Sequence, residues 1–252
     1  KTLGKIAGAV GKLIGAITQP FGFSPDIPDF GFDGGDQSAG IQGVLVNKDS
    51  AIATIPVVYG TRMVGGVRVF VSTNGTDNKY LYLALVLAEG TIDSVTTLLI
   101  DDNEITIDPL THGTLRTCAS GKHNDRLQVQ FFDGRDNQSA SSMLLNAPGW
   151  TSDHTLSGLA YMAFRFEWKK VTDQASADNN PYTGGVPNIK VVIKGKKIYD
   201  ATSLGSTHTT AYASETIAHS NNPVSVLLDY MRNPRYGKGL PNTAFNFSTW
   251  KT

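Results

Sequence analysis

The sequence predicts a mainly β protein that carries a few short α-helices. From residue 41 onward, segments rich in β-branched and aromatic residues recur, and several alternate apolar with polar positions. Turn-forming pairs such as Asn74-Gly75 separate these segments, and no helical pattern of comparable length interrupts the first five. This order excludes a doubly wound α/β sheet and favours a β-barrel or β-sandwich with short helices added late in the chain.

The strands are predicted at eight places along the chain. They are residues 43–47, 52–59, 64–72, 80–87, 93–100, 127–132, 159–168 and 189–198. Besides Asn74-Gly75, the pairs Asp133-Gly134, Gly184-Gly185 and Lys194-Gly195 are plausible hairpin sites. Asp101-Asp102-Asn103 also reads as a turn between two strands. The glycine pair Gly65-Gly66 inside a strand run indicates a bulge or close backbone packing.

Two different segments precede the strands. Residues 1–19 place Ile6, Val10, Leu13, Ile14 and Ile17 on one helical stripe, with three lysines and no acid, and predict an amphipathic helix. Packing of this helix against a partner is preferred, and insertion into a membrane is the alternative. Residues 20–40 are rich in proline and glycine and predict an extended arm, which its phenylalanines anchor on a neighbouring surface.

A short helix is predicted near the C-terminus. Asn222 suits the N-cap and Pro223 the first helical position. The spacing of Val224, Leu227, Leu228 and Met231 predicts a single buried face. Pro234 then ends the helix, and glycines follow in a tight exit loop that carries Arg235, Tyr236 and Lys238. A further short helix is expected at 139–146, closed by Pro148.

Composition narrows the function classes. Lys+Arg and Asp+Glu both number 22, so no bulk charge draws the chain onto nucleic acid or an anionic membrane. The single cysteine, Cys118, excludes an internal disulfide framework and a cysteine-based zinc site. Because the sequence begins with Lys1 and stops where a new helix starts, we expect it to be part of a longer protein.

No pattern in the sequence predicts catalysis, a cofactor or a metal. Asp101, Asp102 and Glu104 form the densest carboxylate cluster, but their spacing fits a hairpin turn better than a glycosidase pair. The five histidines lack zinc-binding spacing, no serine lies in a nucleophile elbow, and no phosphate-binding glycine loop is present. We therefore expect a protein that is not an enzyme, with no catalytic, cofactor-binding or metal residues.

Three stretches carry a family resemblance. Residues 55–70 begin I-P-V-V-Y-G and continue into V-G-G, residues 187–200 run from P-N-I to V-V-I-K-G-K-K-I-Y-D, and residues 222–239 contain the N-P-R-Y-G-K-G exit. These stretches resemble signatures of the central tail hub, or tip attachment protein J, of lambda-type long-tailed phages (siphophages). They occur in the order expected for the hub region of that family. Residues 105–185 contain no signature of this kind.

The resemblance implies a structural virion protein at the phage tail tip. It implies a homotrimer that closes the distal end of the tail tube, links it to receptor-binding parts for host attachment, and opens for DNA ejection. A tail-tube-like hub domain would comprise residues 41–100 and 186–252, with an inserted β domain at 101–185 and the helix and arm at 1–40. The candidate motif or interface residues are Pro56, Tyr59, Gly60, Arg62, Gly65, Gly66, Asn233, Pro234, Arg235, Tyr236 and Gly237.

The same resemblance implies a set of partners. They are distal tail and tail-tube proteins, the tape measure protein, other tail-tip proteins, phage DNA passing through the channel, and the host membrane during ejection. Two alternatives stay open. One is a cell-surface glycan-binding module or glycan hydrolase that uses Trp150, Tyr161, Trp168 and Tyr182 as stacking platforms. The other is a membrane-active protein that inserts residues 1–19.

Overall fold

The structure is a computed structural model that describes residues 48–49, 53–168, 181–182, 185–199 and 217–245. The helix predicted at 1–19, the arm at 20–40 and the strand at 43–47 lie outside the described residues. So do most of the residues between 169 and 184 and between 200 and 216.

Within the described part, the chain forms eleven strands and one α-helix. The strands are β1 (Lys48–Asp49), β2 (Thr61–Val64), β3 (Val67–Asn74), β4 (Tyr80–Glu89), β5 (Ile92–Ile100), β6 (Asn103–Glu104), β7 (Leu115–Thr117), β8 (Leu127–Asp133), β9 (Leu159–Glu167), β10 (Ile189–Tyr199) and β11 (Ile217–His219). The helix α1 covers Pro223–Arg232. The predicted mainly β fold is confirmed.

Two sheets contain these strands. The first sheet has the order β1-β3-β4-β9-β8-β7, and all its pairings except the parallel β1–β3 pair are antiparallel. The second has the order β11-β10-β5-β6, and β2 also pairs with β10, antiparallel and alongside the β10–β11 pairing. Strand β10 therefore holds β5, β2 and β11 together.

The main core lies between the two sheets. From the first sheet it takes every second residue of β4, beginning with Leu81, together with Val129 of β8 and Phe164 of β9. From the second sheet it takes residues such as Ile100 of β5 and Val191 of β10. Alternation along each strand thus directs one face of both sheets into a shared apolar layer.

A second core covers the outer face of the first sheet. It includes Tyr82, Ala84 and Val86 of β4, which alternate with the inner-core residues, and Tyr161 of β9. The loop between β8 and β9 covers them with a group of apolar side chains, among which Trp150 is buried. Because β4 and β9 are covered on both faces, their sequences are nearly continuous apolar runs.

Two of the predicted turns are present in the structure, and a third does not form a tight hairpin. The antiparallel β3–β4 connection carries Gly75 at φ 87°, as expected for Asn74-Gly75. The β5–β6 hairpin turns at Asp101 and Asp102, both with positive φ, as predicted. The Asp133-Gly134 pair ends β8, but the next strand begins only at residue 159, so no tight hairpin forms there. Gly184 lies outside the described residues.

Three predicted elements are wrong. Lys194-Gly195 is not a turn, because β10 runs through it from Ile189 to Tyr199. Described residues 53–59 are not a strand, since Pro56 offers no N–H for a regular ladder. The segment at 139–146 forms only a 3-10 turn at Leu144–Asn146.

The run predicted as one strand at 64–72 is two strands. The glycine pair Gly65-Gly66 separates β2, which pairs in the second sheet, from β3, which pairs in the first. Gly66 has φ 70°, and a Cβ there would lie 2.8 Å from the Val86 carbonyl oxygen. The glycines therefore let the chain pass from one sheet to the other at close range.

The predicted division between the hub domain and the inserted domain falls between two paired central strands of the first sheet, β4 and β9. Strand β9, from the segment predicted as an inserted domain, pairs with β4, and β8 pairs with β9, so that all three strands belong to one continuous sheet. The boundaries at 100/101 and 185/186 stay a prediction, and any such division has to cut the sheet between β4 and β9.

Candidate functional site

The three sequence motifs converge on one side of the molecule, where α1 packs beside β10. The first motif contributes residues 56–66, the second contributes β10, and the third contributes α1 and its exit loop (residues 233–240). We call this place the motif junction. It brings the first motif beside two segments that lie more than a hundred residues later in the chain.

Helix α1 begins and ends as the sequence predicts. The Asn222 side chain accepts a hydrogen bond from the Val224 N–H at 2.9 Å, and Pro223 occupies the first turn. At the other end, the Asn233 side chain accepts from the N–H groups of Arg235 and Tyr236, and its carbonyl accepts from those of Gly237 and Gly239. Asn233 thus organises the exit loop.

Gly237 permits the close return of the exit loop over the helix. A Cβ at this position would lie 1.8 Å from the carbonyl oxygen of Tyr230 and 2.8 Å from that of Asn233. No side chain fits at such distances without displacing backbone. The glycine of the N-P-R-Y-G motif is therefore required by the path of the loop.

A buried carboxylate connects two of the motifs. Asp229 of α1 is 3% exposed and accepts hydrogen bonds from the hydroxyl groups of Tyr59, at 2.5 Å, and Tyr236, at 2.6 Å. Burial and the hydrogen bond to Asp229 raise the pKa of Tyr236 far above its ordinary value. The phenol therefore stays protonated and acts as a donor to the carboxylate.

Two further contacts surround this network. Arg235 donates its Nε to the Glu89 carboxylate of β4 at 2.5 Å, although the arginine side chain is largely exposed. The ammonium group of Lys196, from β10, lies 5.5 Å from the centre of the Tyr236 ring. The exit loop is thus held by polar contacts from both sheets.

The first motif is attached mainly through its backbone. The carbonyl oxygen of Val58 accepts from the Lys196 N–H at 2.7 Å, and that of Gly60 accepts from the Gly195 N–H at 2.8 Å. A Cβ at Gly195 would lie 2.2 Å from the Val58 oxygen, so the glycine permits this approach. The Thr61 N–H donates to the Asn221 side chain at 3.0 Å.

The buried face of α1 differs from the predicted one. Ser225, Leu228, Asp229 and Arg232 are buried, whereas Val224 and Leu227 are exposed, Leu227 at 52%. The apolar contact behind the helix consists of Leu228 with Tyr199 of β10 and the partly buried Phe245. The predicted stripe is correct at Leu228 but wrong at Val224 and Leu227, because the polar residues Asp229 and Arg232 face the sheets in their place.

The exposed side of α1 borders a groove. Its volume is about 670 Å³, and it lies between the helix and the segment that leads into β2. Leu227 and Tyr230 line one wall, and Gly60, Thr61 and Arg62 line the other. We call it the α1–β2 groove.

The predicted site residues fall into three groups. Tyr59, Gly60, Asn233, Arg235, Tyr236 and Gly237 make the contacts of the motif junction described above, while Gly65 and Gly66 form the sheet crossing. Pro56, Arg62 and Pro234 are exposed. The carbonyl of Pro56 accepts from the Glu89 N–H at 2.9 Å, and Arg62 donates to the neighbouring Thr61 carbonyl.

Sequence reasoning missed four residues of the junction: Glu89, Lys196, Asn221 and Asp229. Asp229 carried a usable signal, because an acid flanked by apolar residues in a short helix has to be exposed or paired. Glu89 carried none, since only the fold places it beside the motifs. Lys196 lies within the second motif and Asn221 next to the third, but only the fold brings them to Tyr236 and Thr61.

The residues considered for chemistry lie elsewhere. Asp101 and Asp102 form the β5–β6 turn, and Asp102 pairs with Lys190. In the described ranges, no three His, Cys, Asp or Glu side chains cluster closely enough to hold a metal ion. No helix among the described residues combines the length and apolar character needed to cross a membrane.

The proposed glycan-stacking residues are not on the surface. Trp150, Tyr161 and Tyr182 are buried, and Trp168 packs partly buried against the main core. Burial raises the pKa of both tyrosine hydroxyl groups. A stacking platform needs an exposed ring face, so these residues do not form one.

Comparison with known proteins gives one relative in sequence. The chain is 25% identical over 229 residues to the baseplate hub protein pb3 of Escherichia phage T5, a match that covers 73% of this chain. The chain spans only 22% of the length of that relative. No family model matches the sequence.

Among solved structures, a chain of the virion of a native gene transfer agent particle is similar. The match has a TM-score of 0.44 and 17% sequence identity, and it covers 91% of this chain and 51% of the other. By sequence, this chain is thus similar to part of a phage baseplate hub protein.

Proposed function

We propose that this chain is a structural component of a phage virion and belongs to the hub of the tail tip. The observation that carries the proposal is the sequence similarity to the baseplate hub protein of phage T5. That similarity supports a tail or baseplate protein in general. The assignment to the lambda-type tip attachment proteins is a more specific proposal, which rests on the sequence motifs. The convergence of the three motifs adds support, because residues of the resemblance far apart in sequence meet in one polar network.

In this proposal the protein acts mechanically and is not an enzyme. Three copies form a ring that closes the distal end of the tail tube, and the motif junction fixes α1 and the exit loop at the subunit boundary. Exposed groups such as Arg235 and Lys238 then meet the neighbouring subunit or face the channel. A cyclic ring requires two different contact patches on each subunit.

The proposed partners are those of a tail hub. They are the distal tail and tail-tube proteins, the tape measure protein, other tail-tip proteins, and DNA during ejection, with the host membrane at the moment of opening. Because the chain carries no net charge, transient DNA contact would come from local basic groups and weaken with salt. The glycan-binding alternative loses its basis, since three of its four aromatic residues are buried.

Cryo-electron microscopy of phage particles that contain this protein tests the proposal. We expect three-fold density at the distal end of a tail tube into which the fold of residues 53–168 can be placed. Labelling with an antibody against the chain should mark the same end of the tail. Density elsewhere on the particle would refute the hub assignment, and absence of the chain from purified particles would refute a virion role altogether.

A further inference from the structure

Exposed apolar side chains are concentrated on the elements around the α1–β2 groove, and two of them, Leu227 and Tyr230, line it. Six of the nine large apolar side chains exposed among the described residues come from β2, β11, α1 and the exit loop: Met63, Ile217, Val224, Leu227, Tyr230 and Leu240. Such a concentration at one end of a molecule marks a contact surface.

The strand beside the groove also has an open edge. β2 pairs with β10 on one side, and no other strand of the described part pairs with it. Thr61, Arg62 and Met63 are exposed along it. An open edge next to an apolar groove accepts an extended peptide, whose backbone pairs with the edge while alternate side chains enter the groove.

We propose that the chain's own segment 20–40 covers this groove, with Phe30 and Phe32 as its anchors. The sequence around them is Asp29-Phe30-Gly31-Phe32-Asp33. In an extended strand, Phe30 and Phe32 project to the same side and would pack together against Leu227 and Tyr230. The inference is independent of the proposed function.

Charge supports this occupant. The segment 20–40 contains four aspartates, Asp26, Asp29, Asp33 and Asp36, and no lysine or arginine. Among the described residues that line the groove, Arg62 is the charged one, and its side chain is exposed. An acidic arm would therefore meet a lining whose one charged side chain is basic, with no acidic residue of the lining opposing it.

The position of Lys48, where the described chain begins, also supports segment 20–40 as the occupant of the groove. Lys48 pairs with Val67 at the start of β3, only three residues beyond Val64, the end of β2. Lys48 therefore lies within roughly 16 Å of the end of β2, from a strand spacing of ~4.8 Å and three residues of extended chain. Residues 34–47 can span about 46–50 Å when extended, so the tether reaches the groove.

Cysteine cross-linking in the intact chain tests the proposal. In a Cys118→Ser background, Phe30→Cys is combined with Leu227→Cys, and the disulfide formed on mild oxidation is located by peptide mass mapping. The matched control combines Phe30→Cys with Leu145→Cys, because Leu145 is 49% exposed and lies in the loop that covers the other face of the first sheet. We expect at least about tenfold more disulfide for the 30–227 pair than for the control pair.

Two results would overturn the proposal. Equal yields for the two pairs would show that the arm does not dock in the groove. A disulfide that joins a ¹⁵N-labelled chain to an unlabelled one in a mixture would show that the groove binds the arm of a second copy instead. Only a bond within one chain, independent of protein concentration, supports the assignment.

Proteolysis provides a second test that leaves the arm unchanged. Chymotrypsin cleaves after phenylalanine, so docking should protect the bonds after Phe30 and Phe32. We expect Leu227→Asp to accelerate these cleavages at least about fivefold, because cleavage follows the open population, and Leu145→Asp to leave them unchanged. Near-ultraviolet circular dichroism would verify that both variants are folded, and equal cleavage rates would contradict docking.

Discussion

Different interactions stabilise the central strands and the motif junction: apolar burial in the strands, and mainly polar contacts at the junction. Strands β4 and β9 lie between two apolar layers, and most of their side chains are buried. At the junction, the apolar contact behind α1 is small, and a buried carboxylate, two tyrosines and an exposed ion pair make up the rest. The first region determines that the chain folds, and the second determines where one helix and one loop are attached.

Global stability and the attachment of α1 therefore depend on different interactions. Apolar burial contributes in proportion to area and is lost only when the sheets separate. Hydrogen bonds to a buried carboxylate depend on geometry and are exchanged for water when the helix moves away. We therefore expect changes in the central strands to lower global stability and changes at the junction to loosen α1 and the exit loop first.

The largest effect should follow from a cavity between the sheets. Phe164 of β9 is fully buried, with its ring 5.8 Å from that of Phe166. Phe164→Ala should lower the free energy of unfolding by about 3–5 kcal/mol, from lost burial and the cavity that remains. Chemical denaturation followed by circular dichroism measures it.

Val69→Ala is the control for this variant, because Val69 is largely exposed on β3 and its loss should cost less than about 0.5 kcal/mol. If Phe164→Ala cost no more than Val69→Ala, the central layer would not be the stabilising region of the protein.

The next effect should come from Gly195, where the junction meets the second sheet. Gly195→Ala places a Cβ against the Val58 carbonyl and should cost about 1–3 kcal/mol through displacement of residues 53–60. Hydrogen exchange should accelerate at the Lys196 amide, which donates to Val58, and stay slow in β4 and β9.

Gly121→Ala separates steric overlap from backbone preference. Gly121 has φ +66° and nothing within 4 Å of a Cβ, so this variant should cost only about 1 kcal/mol, from the left-handed conformation. Faster exchange throughout β4 and β9 in Gly195→Ala would show that the junction and the core are one cooperative unit.

A smaller effect is expected from the hydroxyl groups that contact Asp229. Tyr59→Phe and Tyr236→Phe each remove one donor and should each cost about 1–2 kcal/mol. Because both donors contact the same carboxylate oxygen, the double variant should differ from the sum of the single ones. Hydrogen exchange in α1 measures the local loss of stability, and chemical denaturation measures the global loss. If the stability losses of the two single variants simply added in the double variant, the two hydroxyl groups would not belong to one network.

The same tyrosine predicts a dependence on pH. The folded chain raises the pKa of Tyr236, so the stability that this group contributes is complete below the ordinary tyrosine pKa of about 10 and declines as the pH rises above it. Tyr236→Phe should remove part of this alkaline decline. Thermal unfolding from about pH 8 to about pH 11 should show the two proteins converging, and parallel curves would contradict the prediction.

Much of the sheet structure could be predicted because its signals are local. The runs that became β4, β5, β8, β9 and β10 are strongly apolar or alternate with period two, and their bounds agree with the predicted ones within about two residues. Residues 52–59 also resemble a strand, but their hydrogen bonds go to two different sheets, which no local pattern encodes. Lys194-Gly195 resembles a turn, yet its glycine serves a close backbone approach.

Part of the candidate site was also predictable, because some of its signals are local in the sequence. Asn222, Pro223, Asn233 and Gly237 act within a few residues of their own positions, so the helix ends were predicted correctly. The buried face of α1 was not, because apolar spacing indicates the core only where apolar contact dominates. At this helix Asp229 and Arg232 face inward, and one partner of Asp229 is Tyr59, which lies 170 residues away in the sequence.

The smallest effect should come from the exposed ion pair at the edge of the junction. Arg235 contacts Glu89 of β4, but the arginine side chain is 77% exposed. Arg235→Met should therefore change the free energy of unfolding by less than about 1 kcal/mol, and Arg235→Lys by less still. The difference between wild type and Arg235→Met should vanish at about 1 M salt, where charges are screened within ~3 Å.

This variant also separates stability from assembly. If Arg235→Met destabilised the chain as much as Tyr236→Phe, the exposed ion pair would stabilise the fold as much as the buried hydrogen bond. Burial would then not determine how much each contact of the junction contributes to stability. If it left the fold intact but reduced incorporation into phage particles, the exposed guanidinium would be acting between subunits. Arg235→Lys, which keeps the charge but not the planar fork, would then distinguish attraction by charge from recognition by geometry.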